Sequence, residues 1–356
     1  MDVVGTAYVQ FAFDAGFSID LKAAAARLRQ GGARRQFRHV RRAPSPSGAL
    51  PLIFTRSAAP VAVGGVTTAE TLEVSLFDFG GLSITYLVPL EGALESLVEL
   101  SESLTGNGDL LLEARERARE ILVILGDAVE RPGLADACED YVVFDLAPVA
   151  ELPEEWLTRE RGTLARILRG ESATLSPSEV EDTMLRRLQY SPDQLVTIDW
   201  SAALLVGEDM EDERFVLEFA NVELVQLRLL DERLDGAVEG TLGELSRRRR
   251  WSGGFGLRSD ALRRVAGMQI ECAMLYEVVH NSLKLTGDQY LARVYRMAAE
   301  RFHLASWEAG IERKLSVLDG VHEKLSTLAT TRRLETLEWI IIVLIAVSIL
   351  VVFLPL

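Results

Sequence analysis

The stretch SLFDFGGLSITYLV, residues 75–88, decides how the chain is read. Apolar, β-favouring residues run up to Asp78-Phe79-Gly80-Gly81 and resume directly after it. Glycine close behind aspartate is turn chemistry, so the stretch reads as a β-hairpin. A shorter echo, FDAGFSI at residues 13–19, repeats the order of apolar run, Asp-x-Gly and apolar run. A duplicated strand-helix unit and a chance likeness of two turns both account for it.

Strand character continues outward from this hairpin. Residues 5–13 (GTAYVQFAF), 52–55 and 141–146 (YVVFDL) are short, apolar and β-rich, and residues 195–206 (LVTIDWSAALLV) read as the last strand. Helices fall between them. Residues 19–29 contain a run of alanines, residues 91–129 break only at Gly106-Asn107-Gly108, and residues 153–170 open on a proline whose missing N–H is harmless there. Ser176-Pro177-Ser178-Glu179 has the form of a capping box. Residues 1–210 are therefore expected to form a mixed α/β domain.

The pattern changes after the acidic run at residues 208–213. Leu227, Leu230, Leu234, Ala237 and Thr241 recur at helical spacing. So do Val265, Met268, Cys272, Leu275 and Val279, and again Ile311, Leu315, Leu318, His322 and Leu325. A 3–4 alternation is the seam of a bundle or a short antiparallel coiled coil. Residues 211–336 are thus expected to be a helical bundle. The fold class is read as α+β, with an N-terminal mixed domain, an all-α hairpin or bundle, and a terminal helix.

The chain carries 53 acidic and 38 basic side chains, a formal charge of −15. That balance disfavours a broad nucleic-acid surface and specific DNA binding, while leaving room for a local basic patch. Cys138 and Cys272 are the only cysteines, which gives neither a disulfide framework nor a metal knuckle and suits a reducing compartment. The first residues have no basic region, long apolar core or cleavage pattern, so no secretory or transit signal is expected.

Residues 337–356, LEWIIIVLIAVSILVVFLPL, lack any charge after Glu338. The 18 residues from Trp339 onward would rise roughly 27 Å as a helix, close to a hydrocarbon core of ~30 Å. This predicts a single transmembrane tail anchor built from Trp339, Ile340, Ile341, Ile342, Leu344, Ile345, Ser348, Leu350 and Phe353. Trp339 would sit at the interface, with Arg332 and Arg333 on the cytoplasmic side. The expected location is a membrane, with the bulk of the chain cytoplasmic, as at a bacterial inner membrane.

Several segments resemble the "required for meiotic nuclear division" family. They are FANVELVQLRLLDERLD (219–235), LYEVVHNSLKL (275–285), YLARVYRMAAERFHLASWEAGIERKLSVL (290–318) and RLETLEWIIIVLI (333–345), together with VSLFDFGGLSITYLV (74–88) as a strand pair. Members of that family carry a glutamate in the terminal apolar segment, a place taken here by Ser348. The resemblance implies a non-enzymatic, membrane-held homo-oligomer that tethers the translation machinery or another cytoplasmic partner to the membrane. It implies no catalytic residue and no cofactor.

Few motifs carry chemistry. Asp78-Phe79-Gly80 matches the kinase tripeptide that holds magnesium, but the glycine-rich loop, the Val-Ala-x-Lys and the His-Arg-Asp that belong with it are absent from the sequence. Glu277-x-x-His280 and Glu300-x-x-His303 each put an acid and an imidazole on one helix face, the spacing used in di-iron bundles. They carry the alternative reading of a metal-binding bundle enzyme, against the plainer one of helix-surface charge. Two basic runs remain. Residues 27–42 hold seven arginines, and Arg247, Arg248, Arg249 and Arg250 precede Trp251. Arginine beside an aromatic ring suits RNA or anionic headgroups; an exposed loop and a helix C-terminus explain the runs equally simply. The leading expectation is a tail-anchored oligomeric scaffold whose partners are the lipid bilayer, other copies of itself and the ribosome.

Overall fold

A computed structural model describes residues 2–30, 37–38, 51–149, 153–248 and 288–353, with Gly267, Ile270 and Ala273. The chain divides into two units. One comprises Met1–Leu229 and Leu275–Glu308, the other Leu230–Met274 and Ala309–Leu356.

The first unit is built on one sheet. Its strands are β1 (Asp2–Asp14), β3 (Phe37–Arg38), β4 (Leu52–Ser57), β7 (Thr71–Leu76), β8 (Gly81–Ala93), β10 (Cys138–Leu146), β11 (Arg187–Leu188), β12 (Leu195–Ile198) and β13 (Ala202–Val206). Their order is β11-β12-β13-β10-β1-β8-β7-β4-β3. Four short strands pair outside it, β2 (Ser18–Ile19) with β9 (Val129–Glu130) and β5 (Ala62–Val63) with β6 (Val66–Thr67). The β10–β13 pair is parallel and the other ladders are antiparallel. A parallel pair needs a long crossover. Here it carries α4 (Pro153–Arg159), α5 (Arg161–Arg169) and α6 (Pro177–Thr183).

The hairpin at residues 75–88 forms as its sequence predicts, with β7 and β8 as its arms. Phe77 N–H donates to the Gly81 carbonyl at 2.9 Å and Gly80 N–H to the Phe77 carbonyl at 3.1 Å. The echo at residues 13–19 lies against it. Ala15 N–H donates to the Gly80 carbonyl and Ile19 N–H to the Asp78 carbonyl, each at 2.9 Å. Gly80 has φ +88°, and a Cβ on it would stand 2.0 Å from the Gly16 carbonyl oxygen. The two Asp-x-Gly turns are thus stitched together, and only glycine fits where they meet.

Strand alternation sorts the sheet into two faces. Val9, Phe11 and Phe13 of β1, Ile84 and Tyr86 of β8 and Val142 and Phe144 of β10 join one apolar core with residues of α1 (Leu21–Gln30), α2 (Ser96–Leu104) and α3 (Gly108–Leu125). The opposite face carries Tyr8 and Gln10, Ser83 and Thr85, and Glu73 and Ser75. It is covered by α7 (Glu211–Arg248), as an ion pair from Arg214 to Glu73 and a hydrogen bond from Thr85 to Glu218 show. α8 (Gln289–Arg301) completes this unit. Asn107 caps α3 by accepting from Leu110 N–H, and Ser176 caps α6 by accepting from Glu179 N–H.

The second unit holds the later part of α7 and most of α9 (Leu304–Phe353), helices of 38 and 50 residues that run about 57 and 75 Å. Leu230, Leu234, Ile311 and Leu318 are buried. Lys314 Nζ lies 2.7 Å from Asp231 and 2.6 Å from Asp235.

One expectation is corrected here. Among the described residues no helix is long and apolar enough to cross a membrane. The fold class is mixed α/β around one large sheet, without the expected transmembrane helix, and the tail-anchored membrane location falls with that helix. The terminal apolar residues are not a separate element. They end α9, which carries charged residues as far as Glu338.

Candidate functional site

The face of the sheet under α7 is where the sequence spends polar residues inside the fold. The register places Gln10 opposite both Thr85 and Tyr141, Thr85 opposite Glu73, and Ser83 opposite Ser75. A polar band therefore crosses the middle of the sheet. All of these side chains are buried. Such alternation is ordinary for an antiparallel sheet with one face in water; here a helix takes the place of water.

That helix answers with matching groups. Arg214 Nη1 lies 2.9 Å from Glu73 Oε2, and its guanidinium sits 4.2 Å from the centroid of the Tyr8 ring. Burial opposes the charge on Arg214, but Glu73 and Glu218 more than restore it. Glu218 accepts a 3.3 Å hydrogen bond from the Thr85 hydroxyl. Burial raises its carboxyl, against the pull of Arg214. Burial likewise pushes Asp145, on the same face, up to about 6, with Arg214 opposing and Asp209 reinforcing. Both amide atoms of Gln10 are buried without a hydrogen-bond partner. Close by, α7 presses on the hairpin so tightly that a Cβ at Gly81 would stand 2.4 Å from a Val222 methyl.

Two more buried carboxylates flank this band. Glu223 of α7 takes a short hydrogen bond from the Tyr295 hydroxyl of α8. Burial pushes its carboxyl up to about 8; the Tyr295 bond opposes this and the charge of Glu308 adds to it. Asp199, fully buried in the β12–β13 turn, is bracketed by Arg169 of α5 at 3.0 Å and by Arg301 of α8. The same two arginines reach Asp182 of α6. Burial raises Asp199, and Arg301 and Arg169 hold it down. These pairs lock α5, α6 and α8 to the edge of the sheet.

A cleft of about 140 Å³ opens beside the band. Its walls are Thr105 and Gly106 after α2, Glu139, Asp140 and Tyr141 of β10, Trp200 and Ser201 of the β12–β13 turn, Asn221 and Leu224 of α7, and Phe302 after α8. Asn221 Nδ2 donates to the Glu139 carbonyl at 3.2 Å, and the Glu139 carboxylate pairs with Arg228. Asp140 accepts from Gly106 N–H at 2.8 Å.

The residues singled out from sequence are not brought together. Glu277 and His280 lie outside the described residues. Glu300 is exposed near the end of α8, whereas His303 has left the helix. It sits exposed in the turn before α9 at φ +55°, with its ring 6.0 Å from that of Trp200. The one-face geometry assumed for an i, i+3 pair does not apply to it. Among the described residues no three or more His, Cys, Asp or Glu side chains are placed to hold a metal ion. Arg247 and Arg248 are the last residues of α7, with side chains outside the described set, and Arg249, Arg250 and Trp251 lie outside it altogether. Of the first basic run, Arg27 pairs with Asp127. Trp339, Ile340, Ile341, Ile342, Leu344, Ile345 and Ser348 are exposed on α9; Leu350 and Phe353 are helical with side chains outside the described set.

The comparison with known families covers the first part of the chain. Residues 4–213 match the family described as "Uncharacterized protein MJ0711, N-terminal domain". The chain belongs to the MJ0711 N-terminal domain family. A relative, "Uncharacterized protein MJ0711" from Methanocaldococcus jannaschii, is 21% identical over 188 residues, covering 52% of this chain and 56% of that protein. The chain thus spans little more than half the length of the relative it matches. No solved structure matches. This overturns the resemblance to the meiotic nuclear division family, to which nothing in the comparisons points. The segments that carried it lie mostly beyond residue 213. Where described they are largely helical, and apolar residues at 3–4 spacing are common to many unrelated helices.

The MJ0711-family region therefore coincides with the sheet and reaches only the start of α7. Sequence reasoning missed Gln10, Glu73, Arg214, Glu218 and Glu223. Each is polar at a position that pattern alone assigns to solvent. The available signal was the run Glu213, Arg214, Glu218, Glu223 within a helix that also carries Phe215, Phe219 and Val222, too apolar around its circumference to stand in water.

Proposed function

We propose that the protein is a non-catalytic, self-associating scaffold, in which the α/β unit is a rigid platform and the long-helix unit makes the contacts between copies. One observation carries the reading. On α9 the side chains of residues 339–345 and Val347 are each at least 50% exposed in the single chain. Consecutive residues point all round a helix, so this apolar surface has no wet side. A helix that is hydrophobic all round belongs in an interior. Contiguous exposed apolar surface marks an interaction site. Several copies of the same helix can enclose such a segment, while a single flat partner covers only one side.

The buried charges of the first unit support the platform role. Arg214 with Glu73 and Asp199 with Arg169 and Arg301 are engaged with one another inside the fold. The tethering of translation partners rests on the meiotic resemblance alone, and the scaffold reading does not use it.

Light scattering coupled to size exclusion tests the proposal. The full chain should elute as an oligomer, and a chain ending at Thr336 should elute as a monomer with an intact α/β unit. A full-length chain that is monomeric at tens of micromolar would overturn it.

A further inference from the structure

We infer that the cleft beside α7 is a recognition site for a small organic cation, an alkylammonium or guanidinium head. The inference stands apart from the scaffold reading. Three rings meet at one side of the cleft. The Tyr141 and Phe302 centroids are 5.1 Å apart at 81°, and those of Trp200 and Phe302 are 6.4 Å apart at 89°. Edge-to-face rings make a corner rather than a stack. Tyr141 and Phe302 are buried, while Trp200 lines the cleft, is 44% exposed and has the His303 ring 6.0 Å from its own. Leaving a tryptophan so exposed in a turn is costly for packing and useful for binding, because an indole face attracts cations better than any other side-chain ring.

The remaining wall is acidic. Glu139 and Asp140 are adjacent on β10 and both line the cleft. Asp140 receives a neutral N–H from Gly106, and Glu139 is paired with the half-exposed Arg228. That arginine shows a guanidinium already held at the margin of the site. Asn221 adds a buried carboxamide at the lining. The chain's net charge of −15 raises the local concentration of cations and repels phosphates and carboxylates.

Size narrows the class further. A cleft of about 140 Å³ has room for roughly four or five waters at ~30 Å³ each, hence for a head of about that many heavy atoms. Pockets for whole metabolites start near ~300 Å³. A trimethylammonium or guanidinium group is of that size.

The test is calorimetric titration of the full-length chain with choline, with its neutral isostere 3,3-dimethylbutan-1-ol, and with N-acetyl-arginine amide. Choline or the arginine amide should bind in the millimolar range and the neutral alcohol at least tenfold more weakly. Tighter binding of choline identifies a free quaternary amine as the source of the cation; tighter binding of the arginine amide identifies a protein side chain. Trp200→Ala should weaken binding about tenfold and Trp200→Phe about threefold. Arg228→Ala, by freeing Glu139, should tighten it. Circular dichroism checks the fold of each variant. Failure of both cations to bind below 50 mM, equal binding of the alcohol, or an unchanged affinity in Trp200→Ala would each overturn the assignment.

Discussion

Glu223 offers a quantitative handle on the packing of α7 against α8. Its carboxyl titrates at about 8 in the folded chain, against an ordinary glutamate value of 4.5. Between these values the folded state keeps a proton that the unfolded state has lost. Stability therefore falls as pH rises through this window and levels off above pH 8. Each pH unit is worth about 1.4 kcal/mol, so the span from pH 5 to pH 8 costs roughly 4 kcal/mol. Glu223→Gln keeps the shape and a hydrogen-bond acceptor for Tyr295 but cannot ionise. It should match the parent chain near pH 5 and exceed it by roughly 4 kcal/mol at pH 8. Urea unfolding followed by tryptophan fluorescence at pH 5, 6, 7 and 8 measures the difference. Asp145, Glu213, Glu218 and Asp199 are also raised and give slopes of the same sign. The informative quantity is thus the gap between variant and parent, in which their contributions cancel. A gap that stays constant with pH would refute the placement of Glu223 in a water-excluded seam.

The buried pair of Arg214 and Glu73 should behave asymmetrically. Arg214→Leu alone, which strands two carboxylates, should cost about 3–5 kcal/mol in urea unfolding, and adding Glu73→Gln and Glu218→Gln should recover a large part of it. Gly80→Ala should cost about 3 kcal/mol or abolish soluble expression, because φ is +88° and the new methyl meets the Gly16 carbonyl.

Local chemistry made several elements legible. The hairpin at residues 75–88, the helix break at residues 106–108, the Ser176 cap and the seam leucines at 227, 230 and 234 follow from turn residues, capping side chains and helical spacing. Sheet order was not legible, because β1 is set at the centre by pairing with β8 and β10, some 80 and 130 residues away along the chain. Residues 195–206 read as one strand because their apolar runs are nearly continuous. The buried Asp199, fixed by Arg169 and Arg301, instead turns the chain back on itself. The polar face was hidden for a related reason. Gln10, Thr85 and Glu73 look like the wet side of a strand, and Arg214 and Glu218 like the wet side of a helix. Only when the two sides meet do they make an interior, and no local window shows that meeting. The cleft combines residues from five places in the chain, and no single stretch of sequence holds enough of them to be read as a site.

The central claim is that the exposed apolar end of α9 joins copies of the chain. Sedimentation velocity on the full-length protein and on Ile341→Glu/Leu344→Glu tests it most directly, since both positions are more than half exposed and neither contributes to the first unit's core. The account predicts an oligomeric parent and a monomeric, fully folded variant. A parent that sediments as a monomer, or a variant that keeps the parent's oligomeric state, would contradict it.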